Sequence, residues 1–182
     1  MNRLLTILVL GFALSALSAD AAGLQDRNRR KDHKQEQRDC RRHRNHDRPS
    51  YFISNDKVFY AGKEINGASA NSFKILKDGY AKDNWYVYHD GIRLNRASAN
   101  SFKTLGKGYA TDNWTVYYNG HRIPDSSSSS FKVLADGYAK DSWNVYYRGE
   151  KIKGASVNSF KVRGKGYAED NWNTYYRGHK MK

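Results

Sequence analysis

Along residues 72–94, SFKILKDGYAKDNWYVYHDGIRL, apolar and polar positions alternate in short runs cut by Gly, Asp and Asn, the form of strands joined by turns. Phe73-Lys74-Ile75-Leu76 sets Phe73 and Ile75 on one face and Lys74 on the other, so the Phe face is predicted to be the core face. Gly79 supplies a turn, and Tyr80-Ala81-Lys82 a second strand. Asp83-Asn84 are turn formers whose side chains bond nearby backbone, and the third strand runs to Tyr88. A short fourth strand follows at Ile92-Arg93-Leu94.

This pattern begins again at Ser101, Ser130 and Ser159, 29 residues apart each time, with no insertion or deletion between copies. A constant period in this range is the mark of a repeat architecture. Asn119-Gly120 reads as a tight hairpin turn of the kind that pair prefers. The connections GASANSF, RASANSF, DSSSSSF and GASVNSF share one length, which predicts a turn or single helical turn opened by a Ser or Asp cap. The serine run at 126–130 is a polar variant of that connection rather than a linker. Residues 54–62 lie 29 ahead of DNWYVYHDG but lack its Trp, so residues 51–71 read as a worn first half-repeat that caps the array.

The expected fold class is therefore all-β: tandem 29-residue repeats of short antiparallel strands in a β-meander stack. Strands this short must bury their Phe, Val and Tyr against neighbouring units. The stack is either open or closed into a propeller-like ring.

The first 50 residues differ in kind. A positive start at Arg3, an apolar run from Leu4 to about Leu17 and Ala19-Asp20-Ala21 form the layout of a secretory signal peptide over 1–21. The expected address is periplasmic, extracellular or cell-surface. Residues 22–50 hold 10 Lys and Arg against 5 Asp and Glu with almost nothing apolar, too little to offset the entropy of ordering. They read as a disordered basic tether. Arg29, Arg30, Lys31, Arg41 and Arg42 are its candidates for holding an anionic polymer, with a plain solvated spacer as the alternative. Cys40 is the only cysteine, so no internal disulfide staples the repeats. His33, His43 and His46 lack a folded frame or further ligands at metal-binding spacing.

Catalytic groups are normally unique in a chain, whereas nearly every polar residue here recurs once per unit. Asp83, Asp112, Asp141 and Asp170 stand at turns, where Asp is preferred for local reasons. No phosphate loop, nucleophile elbow or zinc-type His pair is present. No enzyme activity, metal or cofactor is expected. The constellation left is aromatic: Trp85, Trp114, Trp143 and Trp172, with Tyr118, Tyr147 and Tyr176. Such side chains are enriched where partners dock, yet repeat packing also demands recurring large apolar groups, and that demand points these rows to the core. Residues 51–182 carry 21 Lys and Arg against 12 Asp and Glu within a chain of net charge +14. Basic residues among aromatics suit single-stranded nucleic acid too, but an exported chain meets envelope polymers, glycans or other proteins first.

The runs DNWTVYYNG and DSWNVYYRG, each followed by a strand bearing Lys or Arg and SFKVL or a close variant, resemble the DKNYY repeat family of exported bacterial proteins. Asp56-Lys57 and Phe59-Tyr60 lie nearest the motif that names it; the other copies carry Asn-Trp or Ser-Trp after Asp. The resemblance spans Tyr51 to about Met181. It implies export and a repeat fold, and no particular activity. The function expected is a non-enzymatic binding module presenting a basic, aromatic surface. A self-assembling structural protein is the alternative, and an enzyme of unrecognised type the third.

Overall fold

The computed structural model describes residues 50–182. The expected leader, the basic segment with its arginines and histidines, and Cys40 lie outside the described residues. Five antiparallel sheets follow one another, each a meander whose strands pair in chain order. The first has three strands, Tyr51–Ser54, Lys57–Tyr60 and Lys63–Glu64. The second comprises Lys74–Ile75, Tyr80–Lys82, Val87–His89 and Ile92–Arg93. The third comprises Lys103–Gly106, Tyr109–Thr111, Val116–Tyr118 and His121–Ile123. The fourth has Lys132–Val133, Tyr138–Lys140, Val145–Tyr147 and Glu150–Lys151, and the fifth Lys161–Gly164, Tyr167–Glu169, Thr174–Tyr176 and His179–Lys180.

Alternation along such short strands gives each sheet two apolar faces. In the second sheet Tyr80 and Val87 point forward, towards the third, while Ala81 and Tyr88 point back to the first. Tyr80 and Val87 accordingly share a core with Phe102, Ala110 and Tyr117, and Tyr51 and Val58 share one with Ala81 and Tyr88. The next two layers repeat this with Tyr109 and Val116, then Tyr138 and Val145. The core is a set of thin layers between sheets. Each layer centres on a Phe wedged between two tyrosines: Phe102 lies 5.4 Å from the Tyr80 ring and 5.6 Å from Tyr117.

The Phe face is thus the core face, but not for Ile75, which is 58% exposed. Its counterparts Val133 and Val162 pack against the preceding sheet, whereas among the described residues the first sheet has three strands and none at that edge to cover Ile75.

One hydroxyl per unit joins successive sheets. Tyr80 donates to the Gly108 carbonyl at 3.1 Å and accepts from the Gly120 N–H at 2.9 Å. Tyr109 does the same with Gly137 and Gly149, and Tyr138 with Gly166 and Gly178. The two glycines belong to the two turns at one end of the following sheet. Asn119 and Gly120 both have positive φ, 44° and 78°, as an Asn-Gly hairpin turn requires. A Cβ on Gly149 would stand 2.7 Å from Cβ of Tyr118, so glycine lets the following sheet close on that ring.

The opposite end of each unit is tied by its aspartate. Asp83 Oδ1 accepts from the N–H of Trp85 (2.7 Å) and Tyr86 (2.6 Å), and Oδ2 from the Ser69 N–H (3.0 Å) and the Tyr88 hydroxyl (2.9 Å). Asp112, Asp141 and Asp170 repeat all four bonds. This revises the expected local cap: Ser69 makes no side-chain capping bond, only the first connection contains a helical turn, Ala70–Ser72, and the capping carboxylate lies 14 residues further on. The serine run follows the same course, with the Ser127 N–H on Asp141.

Units also alternate, which the 29-residue period conceals. The first strands of the third and fifth sheets are longer and irregular at Thr104/Gly106 and Val162/Gly164. In the second and fourth, Asp78 and Asp136 accept the N–H of Gly108 and Gly166 from the following unit. The true structural period is two units.

Replacing Phe102 with Ala should cost about 3–5 kcal/mol in the denaturant midpoint of the array; an unchanged midpoint would show that the Phe layer is not core. Tyr109→Phe keeps the ring but strands the Gly137 carbonyl and Gly149 N–H, an expected loss of about 1–3 kcal/mol. Burial raises Asp83, Asp141 and Asp170, but the N–H and hydroxyl donors outweigh it and hold them below the usual carboxylate value. Their stabilisation is complete above the unfolded value of about 3.9 and is lost as pH falls through the folded ones. Burial pushes Tyr51, Tyr80 and Tyr109 up to about 12 against the lesser opposing pull of the Gly91, Gly120 and Gly149 N–H groups. Unfolded tyrosine loses its proton near pH ~10, so stability should fall again from there towards pH 12. Thermal midpoints measured across pH should show a plateau between those two windows.

Candidate functional site

The aromatic rows separate. The tyrosines of the inner layers, Tyr80, Tyr88, Tyr109, Tyr117, Tyr138 and Tyr146, are at most 1% exposed and fill the core. The tryptophans do not join them: Trp85 is 73% exposed, Trp114 82%, Trp143 78% and Trp172 81%. The reading that places tryptophan in the core is therefore corrected. Its physical cause is the aspartate. Each Trp N–H is held by the carboxylate two residues before it, in a turn that precedes the third strand, so the indole leaves the stack where the core is already filled. Equivalent turns on stacked units place the four indoles in one row. One large exposed apolar group in each successive unit makes this row the candidate site.

Tyr118 and Tyr147 lie elsewhere. They end the third strand of their units, half-buried, with rings over Gly149 and Gly178 of the next sheet. Tyr176, the last of the series, is 36% exposed, with no such turn above it among the described residues. A three-residue strand, about 10 Å, divides these tyrosines from the tryptophan turns.

The charge has its own place, which residue-by-residue reading of the sequence missed. Between the last hairpins of the fourth and fifth sheets runs a groove of about 400 Å³. Arg148, Lys151, Lys153, Arg177 and Lys180 line it, with Glu150 the one carboxylate. A groove between the second and third sheets is mixed, lined by Lys107 together with Asp78 and Asp90. The signal was present in the hairpin turns, which read Asp-Gly and Asn-Gly in the earlier units and Arg-Gly in the last two. Arg148 and Arg177 lie near the rings of Tyr147 and Tyr176, at 5.5 and 5.2 Å, in cation–π contact. Aromatic row and basic groove thus occupy opposite ends of the strands.

The aspartates have no spare capacity for chemistry. Each carboxylate already accepts four hydrogen bonds in the fold, and the neighbouring tyrosine hydroxyls Tyr88 and Tyr146 are pushed up by burial and by that carboxylate. His89 packs edge-on to Tyr80 at 4.5 Å and fills over Gly120 the place tyrosine takes in later units. His121 and His179 are exposed on the hairpin edge.

No curated protein and no solved structure matches this chain. The model of the DKNYY family matches residues 51–179, from the first strand of the first sheet into the last strand of the fifth. The tyrosine pairs that fill the layers and the aspartate turns that display the tryptophans all lie within that span, and the chain belongs to the DKNYY family.

Proposed function

We propose that this protein is an exported, non-enzymatic binding module whose tryptophan row docks an extended partner of the cell envelope, a repeating polymer before all others. The single observation that carries this reading is the exposure of Trp85, Trp114, Trp143 and Trp172, one in each successive unit, in a fold whose other large aromatics are mostly buried or half-buried. An indole offers a broad apolar face with one N–H donor at its edge, suited to the mixed apolar and polar faces of a sugar ring or a peptide. A stacked repeat sets such faces at a regular interval along a surface, which is how solenoid proteins engage long ligands. The basic groove at the opposite end of the strands and the basic segment at residues 22–50 add long-range attraction to an anionic partner without specifying it. The absence of catalysis in this reading rests on the aspartates, the recurrent polar groups, being committed to turn and strand.

The test is titration of the protein with envelope polysaccharide and with anionic polymer while tryptophan emission is followed. Binding should shift the emission, and Trp114→Ser combined with Trp143→Ser should weaken it at least several-fold. The midpoint of unfolding should hardly move, since exposed positions away from packing change stability by about 0.5 kcal/mol or less. Retention that is insensitive to the tryptophans but collapses with salt would transfer the function to the basic groove and overturn this assignment. Turnover of a chromogenic ester, glycoside or phosphate by the purified protein would overturn its non-enzymatic part.

A further inference from the structure

Within the chain, every sheet from the first to the fourth is covered on its forward face by the next. Among the described residues, nothing covers the fifth sheet in this way. Tyr167 occupies the position of Tyr80, Tyr109 and Tyr138, which are 0% exposed, yet is itself 42% exposed. In those three tyrosines the hydroxyl bridges two glycine turns of the following unit; at Tyr167 no such turn is present among the described residues. Beside it, Met181 is 46% exposed where Ile123 and Ile152 are buried, and Thr174 is exposed in place of a buried valine. The forward face therefore keeps the tyrosine of the interface that holds the units together, while Arg163, paired with Glu169, stands where Leu76, Leu105 and Leu134 pack into the inner layers.

The backward half of the same interface, less the Phe that the inner units place ahead of their first strand, is found, within the described residues, on the first sheet. Gly62 occupies the position of Gly91, Gly120, Gly149 and Gly178, with the same positive φ, 77°. At those four glycines an added Cβ would meet a ring or its Cβ from the preceding unit at 2.7–3.0 Å; at Gly62 it would meet nothing within 4 Å. Phe59 stands where Tyr88 and Tyr117 receive the preceding unit, and its ring stacks on Phe52 at 4.9 Å and 7°. Phe52 is 45% exposed and replaces the buried alanine of the inner sheets, so the seat it offers is flatter and more apolar than theirs.

We propose that the fifth sheet of one copy docks on the first sheet of a second copy, head to tail. Tyr167 then reaches the Gly62 N–H as Tyr138 reaches that of Gly178, and Tyr176 covers Gly62 as Tyr147 covers Gly178. Because the two surfaces differ, the contact is heterologous and propagates into a filament instead of stopping at a dimer. The inner tryptophans stay 73–82% exposed with sheets on both sides, so assembly extends their row without covering it. The proposal does not depend on what the tryptophans bind.

Sedimentation of the chain from residue 22 onward should show a mean mass that climbs with concentration beyond a dimer. Tyr167→Lys spoils only the forward face and Phe52→Lys only the backward face. Both positions are exposed, so each variant should fold, with circular dichroism as the check. Each alone should be a monomer, while an equal mixture should give a dimer, because each retains the face the other lacks. Gly62→Val should also abolish growth. A wild-type monomer at all concentrations overturns the proposal, including the case in which residues 22–49 cover the first sheet. Association that survives Phe52→Lys but not Tyr167→Lys overturns the head-to-tail geometry in favour of two forward faces meeting.

Discussion

The structure depends on a tyrosine hydroxyl placed between two glycine turns of the next unit. It is the one polar contact made by every inner sheet with its successor, at Tyr80, Tyr109 and Tyr138, and it works in both directions, donating to a carbonyl and accepting an N–H. A buried N–H or C=O left unpaired costs more than a paired one contributes, so the turns are specified as strictly as the tyrosine. Glycine is required there for a second reason: a neighbouring ring, Tyr60, Tyr118 or Tyr147, lies where a Cβ would be. With no disulfide within the repeats and sheets of three or four strands, the Phe and Tyr layers supply the apolar burial and these hydroxyls set the register.

From that constraint comes the division of the surface. The glycine turns lie at one end of each unit, so everything there is drawn into stacking or, in the last two units, into the basic groove. The opposite end is tied by an aspartate to its own connection, turn and strand, and is free to display a side chain. Tryptophan is that side chain. One carboxylate thus acts twice, closing the fold and holding an indole outside it, which is why the most conspicuous acid of the repeat is a structural group.

The same division separates the stability of the array from its interactions. Units contact only their neighbours, so the faces at the two ends are the exposed ones, and both differ from the inner faces in side chains as well. The first sheet is adapted, with Phe52 for alanine and, among the described residues, no strand opposite Ile75. The fifth is altered too, with Thr174 for valine and Arg163, paired with Glu169, for the leucine of the inner units.

Much of this was legible in the residues alone. The period of 29, the strand assignments, the Phe face and the equivalence of the serine run to the other connections all follow from local chemistry: turn residues have particular φ requirements, and two-residue alternation has one meaning. The alternation of units was written in Gly-Lys-Gly against Lys-Asp-Gly and Ala-Asp-Gly but has no meaning until the turns are seen to meet. What the sequence could not decide was which aromatic goes inward, because Tyr and Trp both satisfy a demand for large apolar groups. Tertiary structure decided it through spacing: Tyr80 and Tyr88 sit within paired strands and face neighbouring sheets, whereas Trp85 sits in the aspartate turn before the strand begins, where no sheet lies opposite. Charge was decided in the same way, since the net +9 of residues 51–182 is evident from composition, but its gathering into one groove requires Arg148 and Arg177 to be stacked one unit apart. Composition and period determine what recurs; only stacking determines what each recurrence faces.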